Sequence, residues 1–578
     1  MPGFRVTNFD TEVSLKNYES GRCIQDIIIH ENWFLKRNTL NKFIDDKLFV
    51  ETDEFIILLE GIIYNKKKLE QTTNSHAFSD AVQTLLKTNI KELLKKLDGI
   101  FSGAVLYKKE NRLIIFTSLL GEKAVFYYWK HGRFIAGSQL NYITDILKHL
   151  DIRYEADLSA LSQFLAYGSY IDTSTCAVDI KRLYPGTYLE LYDNILSIQE
   201  YNKIEFLQRQ GVSEHEWIEM LDTAFLRSVK KVIEKNKEYG FCSLVDISGG
   251  LDSRMIACTA ERLSHDDILL DSYGESGCDD VKIAEKIAHM LKLPLIFRST
   301  DNAECMLTAD QNIQMNNGAA IYYGITGGKD MLEMLDRQSF GMELTGLLGD
   351  VFDGSMVITY PDGEIDADYS RFRCSSVLKY GEQFDFPILE EKRFNKYKNE
   401  LFWFHARGML FGMSSYFIRQ NFTEVASPFG DMEFLKVYLS IPWQIRVKGH
   451  LLRKWLIKKY PSMGDIKYAN EGITVKDSLK RIGKIKERIQ VTKRKIALIK
   501  QKKPMGMNDI SFWYRTNKKF KEYITTYYLD NIEKVNGEIK NKVNDLYRSR
   551  EVRDKLLAIS VLAIYKNYLL KLPTRKMK

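Results

Sequence analysis

The sequence predicts an α/β protein built from two unlike halves and a helical tail. Three patterns carry that prediction. From Phe4 to about Tyr201, short alternating or apolar strands follow one another between turn residues. After His215 the period becomes helical, and from Phe241 apolar strands alternate with helices, the mark of a parallel doubly wound sheet. From about residue 375 onward the apolar spacing is mostly helical. A chain of 578 residues exceeds one ordinary core, and at roughly 150 residues per domain two to four are expected. The pattern changes place domains at 1–205, 206–475 and 476–578.

The strand-rich half rests on Phe55–Leu59, Gly103–Tyr107, Arg112–Phe116, Ala124–Tyr128 and Thr187–Leu191, each β-branched or aromatic and bounded by turn residues. In the second half, Phe241–Ile247 and Ile268–Tyr273 read as apolar strands before turns. In the tail, Leu479, Ile482, Ile485 and Ile489 fall at helical spacing while lysines cover the other face, so 476–503 reads as a basic amphipathic helix. Its isoleucine stripe is expected to pack on the preceding domain, and the alternative is docking to an acidic partner or an anionic membrane surface.

Composition excludes several classes. Hydrophobic residues at 45% and charged residues at 28% describe a globular chain and not a disordered or fibrous one. The N-terminus lacks the apolar stretch of a secretory signal, and the longest apolar run, Leu556–Tyr565, falls far short of the roughly 20 residues of a membrane span. A cytoplasmic protein is therefore expected. The seven cysteines form no C-x-x-C pair, so neither a disulfide framework nor structural zinc is expected, and most thiols should lie in the core. The net charge of +8 suggests nucleic acid until it is localised. Residues 476–503 carry twelve Lys/Arg against Asp477 and Glu487, which leaves the rest of the chain at −2, and no nucleic-acid partner is expected.

The chemistry concentrates in Ser248-Gly249-Gly250-Leu251-Asp252-Ser253. A strand ends at Ile247, two glycines allow backbone geometry closed to other residues, and a helix is expected from Met255. Successive N–H groups, the hydroxyls of Ser248 and Ser253 and a helix N-terminus then converge on one point suited to an anion. The lysine of a common P-loop is missing, and the loop ends in Asp252. A carboxylate beside phosphates is reasonable where it holds Mg²⁺. The plain alternative is a glycine-rich turn with no ligand.

This string resembles the pyrophosphate loop of the N-type ATP pyrophosphatases, and its setting resembles glutamine-dependent asparagine synthetase and its relatives. Thr345-Gly346-Leu347-Leu348-Gly349-Asp350 resembles the family's second nucleotide-contacting turn, S-G-E-G-x-D. Asp280 with Ala284, Ile287 and Ala288 resembles the helix after the loop, and Glu424–Asp431 resembles E-x-R-x-P-F-x-D with Ala426 in place of the arginine. In the N-terminal half, Glu60–Asn65, Asp98–Gly103 and Leu183–Gly186 resemble landmarks of the family's Ntn glutaminase domain. The resemblance covers roughly residues 1–475. It implies an N-terminal Ntn-type αββα sandwich followed by a doubly wound ATP-pyrophosphatase domain with a helical C-terminal extension.

The resemblance implies ATP and Mg²⁺ as cofactors. It assigns Asp246, Ser248, Gly249, Gly250, Asp252, Ser253, Tyr273, Thr345 and Gly346 to the nucleotide, Asp252 and Asp350 to the metal, and Asp252, Asp350, Lys467, Lys448 and Glu424 to catalysis. Several positions depart from the family. An Ntn glutaminase uses a terminal cysteine, whereas Pro2 follows Met1 here, and Cys23 lies within the chain. Phe116–Gly121 stands where relatives carry an R-D-x-x-G turn. Leu347 replaces an acid, and Tyr468–Gly472 stands in place of R-x-K-x-G; Lys467 and Lys448 are the candidates to supply the missing charge, the alternative being that each is a solvated surface residue. These losses match the β-lactam synthetase and lasso-peptide cyclase branches, in which glutamine is not used. The implied activity is an ATP-dependent amide ligase that adenylates a small-molecule or peptide carboxylate and transfers it to an amine or ammonia. The alternatives are an ammonia-dependent asparagine synthetase and an inactive homologue acting as a scaffold. A homodimer is compatible with the resemblance.

Overall fold

The computed structural model describes residues 2–9, 23–205, 209–323, 326–335, 339–352, 374–378, 403–469, 472–480, 485–486, 489–490, 492 and 506–570. The N-terminal half contains β1 (Gly3–Thr7), β2 (Cys23–His30), β3 (Trp33–Leu40), β4 (Leu48–Glu51), β5 (Phe55–Ile63), β6 (Gly99–Tyr107), β7 (Arg112–Thr117), β8 (Phe126–Lys130), β9 (Arg133–Gly137), β10 (Ile180–Arg182), β11 (Thr187–Tyr192) and β12 (Ile195–Glu200). They form two antiparallel sheets, ordered β10-β8-β9-β1-β3-β2 and β12-β11-β7-β6-β5-β4.

The period-2 alternation of β5 and β6 explains the layering. Ile56, Leu58, Ala104 and Leu106 face Phe4, Val6, Leu35 and Phe134 of the other sheet. Phe55, Ile57, Leu59 and Val105 face the opposite way, onto the helices Phe78–Thr88 and Ile90–Lys96. The other sheet turns Phe126, Tyr128 and Ile135 toward Ile143 and Leu147 of the helix Leu140–His149, and toward Leu161 and Phe164 of Leu158–Tyr167. Every residue of β5 is buried because both faces of its sheet are covered. The result is the αββα layering of an Ntn-type domain. The strand expected at Ala124–Tyr128 is found at Phe126–Lys130.

The second half holds a five-stranded parallel sheet, ordered β15-β14-β13-β16-β17, from β13 (Cys242–Asp246), β14 (Ile268–Gly274), β15 (Leu295–Ser299), β16 (Phe340–Leu344) and β17 (Val425–Ala426). The chain runs outward from β13 through β14 to β15, then returns to the other side of β13 with β16 and β17. The order therefore reverses between β13 and β16, and the crevice beyond the carboxyl ends of these neighbours is where doubly wound sheets bind ligands. Both predicted motifs follow these two strands.

The tail is helical, with Ile510–Thr516, Lys518–Ile532, Gly537–Arg548 and Val552–Ile564. The apolar run beginning at Leu556 is a core helix in which Leu556–Ile564 are at 0% exposure, packed against Leu158–Tyr167 and Ala309–Met315. Among the described residues no helix is long and apolar enough to cross a membrane. Of the seven cysteines, Cys176, Cys258, Cys278 and Cys305 are buried and none forms a disulfide. The amphipathic stripe at 476–503 departs from expectation where it is described: Ile485 is 60% and Ile489 49% exposed, while Lys486 on the same stretch pairs with Asp477 at 2.8 Å. Leu479 of the same stripe is half-buried, and Ile482 lies outside the described residues.

Candidate functional site: the crevice between the 248–253 loop and the 345–349 turn

The loop leaves β13 at Asp246 and enters the helix Asp252–Leu263. That helix starts three residues earlier than expected, so Asp252 itself occupies its first turn, where the positive end of the helix dipole favours a carboxylate. The loop closes on its own hydroxyls. Ser248 N–H donates to Ser253 Oγ at 3.1 Å, the two hydroxyls lie 3.1 Å apart, and Gly250 N–H donates to Ser248 Oγ at 3.2 Å.

The two glycines do not serve the backbone role expected of them. Neither lies in the left-handed region. Gly249 is required by close approach, since a Cβ there would stand 2.7 Å from the Cβ of Ala469, 2.8 Å from Asp280 Oδ1 and 3.0 Å from Asp280 Cα. Gly250 meets only the Ser248 hydroxyl, at 3.3 Å. We therefore expect Gly249→Ala to displace the loop and abolish nucleotide-dependent activity, whereas Gly250→Ala loses roughly tenfold or less. Activity of the two purified variants, compared with their unfolding midpoints, checks the contrast; equal losses would contradict it.

The second turn follows β16 and packs onto the first. A Cβ at Gly346 would lie 3.0 Å from Ser253 N and 3.3 Å from Asp252 Cβ, and one at Gly349 would lie 2.6 Å from Asp252 Cβ and 2.7 Å from Asp252 Oδ1. Glycine at both positions lets two backbones meet across a carboxylate. Thr345 is buried, donates its N–H to Ala426 O at 3.0 Å and accepts from Leu347 N–H at 3.3 Å. Leu348 takes a left-handed φ of 76° while 3% exposed, a strained choice for a bulky residue and one held by its buried packing. The side chain of Asp350 lies outside the described residues.

A third segment closes the loop from above. Ala469 N–H donates to Gly249 O at 3.1 Å, and the fully buried Arg254 guanidinium donates to the carbonyls of Met463, Ile466 and Lys467 at 3.1, 3.3 and 2.8 Å. Lys467 is thus near the loop through its backbone, with an exposed side chain. Neither Arg254 nor Asp280 is among the site residues expected from the sequence. The arginine directly after S-G-G-L-D-S was a usable signal, but its carbonyl partners lie more than two hundred residues away.

Asp246 and Tyr273 sit one layer below. Asp246 accepts from Arg419 at 3.1 Å, and Arg419 also pairs with the buried Glu343 of β16. Burial pushes the Asp271 carboxyl up to about 8, with Asp246 beside it adding to the rise and Arg419 opposing it. Tyr273 is buried and lies with Arg419 against Gly328. This cluster supports the strand ends beneath the loop.

Two residues assigned to catalysis are elsewhere. Glu424, 3% exposed, faces the N-terminal half and is ion-paired to Lys47 at 3.1 Å and Lys123 at 2.9 Å. Burial alone would raise its carboxyl, yet the ammonium groups of Lys123 and Lys47 outweigh burial and hold it at about 2. Lys448 is exposed at a left-handed φ of 54°, just before the helix His450–Lys459, whose Lys454 pairs with Glu214 at 2.7 Å. Among the described residues no group of three metal-ligating side chains is found.

Fold and site together define a two-part chain: an Ntn-type domain followed by a doubly wound α/β domain of the asparagine synthase type. The glutamine amidotransferase domain family matches residues 45–202 and the asparagine synthase family matches 220–371. The two matches, in this order along the chain, support an asparagine synthetase-like family. It is 28% identical over 252 residues to a chain of Methanocaldococcus jannaschii assigned as glutamine-hydrolysing asparagine synthetase 1, covering 42% of each. It is 28% identical over 216 residues to glutamine-hydrolysing asparagine synthetase 3 of Bacillus subtilis, covering 36% of this chain and 34% of that one. The matches span less than half the length of these relatives. Among solved structures, the glutamine phosphoribosylpyrophosphate amidotransferase of B. subtilis aligns at 10% identity over 51% of this chain and 84% of its own, with a TM-score of 0.24.

Proposed function

We propose that this protein is an ATP-dependent amide-bond-forming ligase that adenylates a substrate carboxylate, releases pyrophosphate and passes the acyl group to an amine, without hydrolysing glutamine. The observation that carries the reading is the convergence of Gly346 and Gly349 on Asp252 and Ser253 at the switch point of the sheet. In this reading the loop N–H groups, the Ser248 and Ser253 hydroxyls and the helix N-terminus hold the phosphates. Mg²⁺ fits the donor set, since it is commonly held by one or two carboxylates plus phosphate oxygens and water, and Asp252 offers a carboxylate at the glycine-lined contact. When bound it would supply neutralisation of the triphosphate and the leaving pyrophosphate. Asp350 is assigned as the second ligand on its sequence position.

The absence of glutaminase activity is supported by the interior of the N-terminal half. The cavity lined by Pro2, Thr39, Glu60 and Ser102 has a volume of only about 40 Å³, and the ion-paired Lys47, Lys123 and Glu424 form another part of its wall. Glu60 there accepts from Thr39 Oγ1 at 2.7 Å, and burial raises its carboxyl despite Lys47 nearby. A glutamine side chain has no room beside these groups. ATP–pyrophosphate exchange over a panel of carboxylic acids tests the ligase reading: exchange dependent on a peptide or sugar acid is expected. Stimulation by aspartate would instead indicate an ammonia-dependent asparagine synthetase, and no exchange with any acid would indicate a scaffold. Glutamate release from glutamine should not exceed that of a heat-inactivated control.

A further inference from the structure

The carboxyl end of β14 is covered by the helical tail. Glu275 N–H donates to Met507 O at 3.2 Å, and Thr300 Oγ1, just past β15, donates to the same carbonyl at 3.3 Å. A Cβ at Gly274 would stand 3.1 Å from Met507 Cα, so glycine lets the tail lie directly on the strand end. At the other end of the helix Ile510–Thr516, Asn517 Nδ2 donates to Asn302 O at 2.8 Å. The turn beneath this contact, 275–278, leads into the helix Asp279–Leu291, whose Asp280 stands against Gly249 of the nucleotide loop. Tail, turn and loop are therefore in contact in series.

Glu275 lies at the centre of this contact. Its side chain is buried, and its Oε1 accepts from the buried Trp513 indole of the tail. It also hydrogen-bonds the Asp301 carboxyl. Two carboxyl groups in contact repel unless one proton lies between them, and the surroundings decide which of the two keeps it. Asp301 is exposed, and its Oδ1 accepts from Ser276 N–H at 2.6 Å. Partial burial would raise its carboxyl, but hydrogen bonds from Ser276 and Ser299 outweigh that and hold it below the usual value. Burial pushes the Glu275 carboxyl up to about 8, with Asp301 and the tail's Asp509 adding to the rise. Asp509 itself accepts from Phe512 N–H at 3.1 Å, as the cap of its own helix.

We propose that Glu275 is a positioning residue, which clamps the tail onto the turn after β14 through a proton shared with Asp301 and thereby keeps Asp280 against the nucleotide loop. The importance of that loop rests on the ligase reading, and the clamp does not. Undocked and open to water, the carboxyl ionises at about 4.5; docked, it ionises at about 8. Between those values the docked state holds a proton that the undocked state has lost. Docking is therefore strongest below about 4.5, weakens as pH rises, and is weakest above about 8.

Amide hydrogen exchange of the full chain without nucleotide, at about pH 6 and about pH 8 and corrected for the intrinsic rate, measures it. Protection of the helix Ile510–Thr516 is expected to fall about tenfold per pH unit, the slope of one linked proton. The loop 248–253 should lose protection over the same interval. In Glu275→Gln the amide carries no charge at either pH, donates to Asp301 and accepts from Trp513, so the tail should be equally protected at both. Asp301→Asn, at an exposed position that keeps the fold, should flatten the slope, because its amide donates to an ionised Glu275. Tail protection indifferent to pH in the unsubstituted chain, or a slope left whole by Glu275→Gln or by Asp301→Asn, overturns the clamp. A slope at the tail with none at the loop overturns the positioning role. None of these results depends on pyrophosphate exchange, so the ligase reading stands or falls separately.

Discussion

Asp252→Asn is expected to reduce ATP–pyrophosphate exchange on the order of 10²-fold or more, comparable to removing one preorganised electrostatic contact from other active sites. Asparagine keeps the shape of the side chain and its place in the first turn of the helix, and removes only the charge. The folded state should lose no more than about 1 kcal/mol, the value of one acidic residue against a helix dipole. Gly349→Ala provides the complementary case. It leaves the carboxylate in place, but its Cβ would fall 2.6 Å from Asp252 Cβ and 2.7 Å from Oδ1, so the carboxylate must move. The same loss of exchange is expected from both. A folded Asp252→Asn protein exchanging at the unsubstituted rate would remove Asp252 from the metal and the phosphates. Loss with Gly349→Ala alone would assign importance to the turn and not to the charge.

The second large effect concerns Glu424→Gln. Its carboxylate is 3% exposed between Lys47 and Lys123, and breaking a buried pair costs about 3–5 kcal/mol because the remaining ammonium groups are left buried without a counter-charge. The pH dependence follows from its depressed value. A carboxyl at about 2 in the fold and 4.5 when unfolded contributes stability that is whole above about 4.5 and is lost as pH falls through about 2. The denaturant midpoint of the unsubstituted protein should therefore fall across that acid window, and that of Glu424→Gln should be lower at neutral pH and flatter through it. Adding Lys47→Met should recover part of the loss. Exchange per folded molecule should change little in Glu424→Gln, because its side chain faces the N-terminal half. A large fall in exchange at unchanged stability would return Glu424 to catalysis.

These two variants probe opposite sides of β16. The strand delivers Gly346 and Gly349 to Asp252, while its neighbour β17 follows directly on Glu424. The ionic contacts of Lys47, Lys123 and Glu424 join the halves beside the small cavity next to Pro2. The same residues that line that cavity also fix the N-terminal half against the sheet.

Local periodicity determined much of this protein. The all-buried character of β5, the apolar strands before each turn and the core helix at Leu556–Ile564 all follow from residue spacing, because a strand or helix must turn its apolar face inward wherever it lies. The S-G-G-L-D-S string was legible for a similar reason: a strand, a turn and a helix N-terminus occupy consecutive residues, so their chemistry is written in one place. The folded chain decided what depends on distant partners. Gly249 is required by Ala469 and Asp280, not by its own φ, and that is invisible until residues far along the chain are in contact. Glu424 belongs to the inter-domain ion pairs because Lys47 and Lys123 arrive from the other half, and Arg254 holds three carbonyls of a late segment. Ion pairs and steric contacts act over a few ångströms of space whatever the separation along the chain, so their partners are set by topology, and only the sheet order β15-β14-β13-β16-β17 brings the 345–349 turn to Asp252.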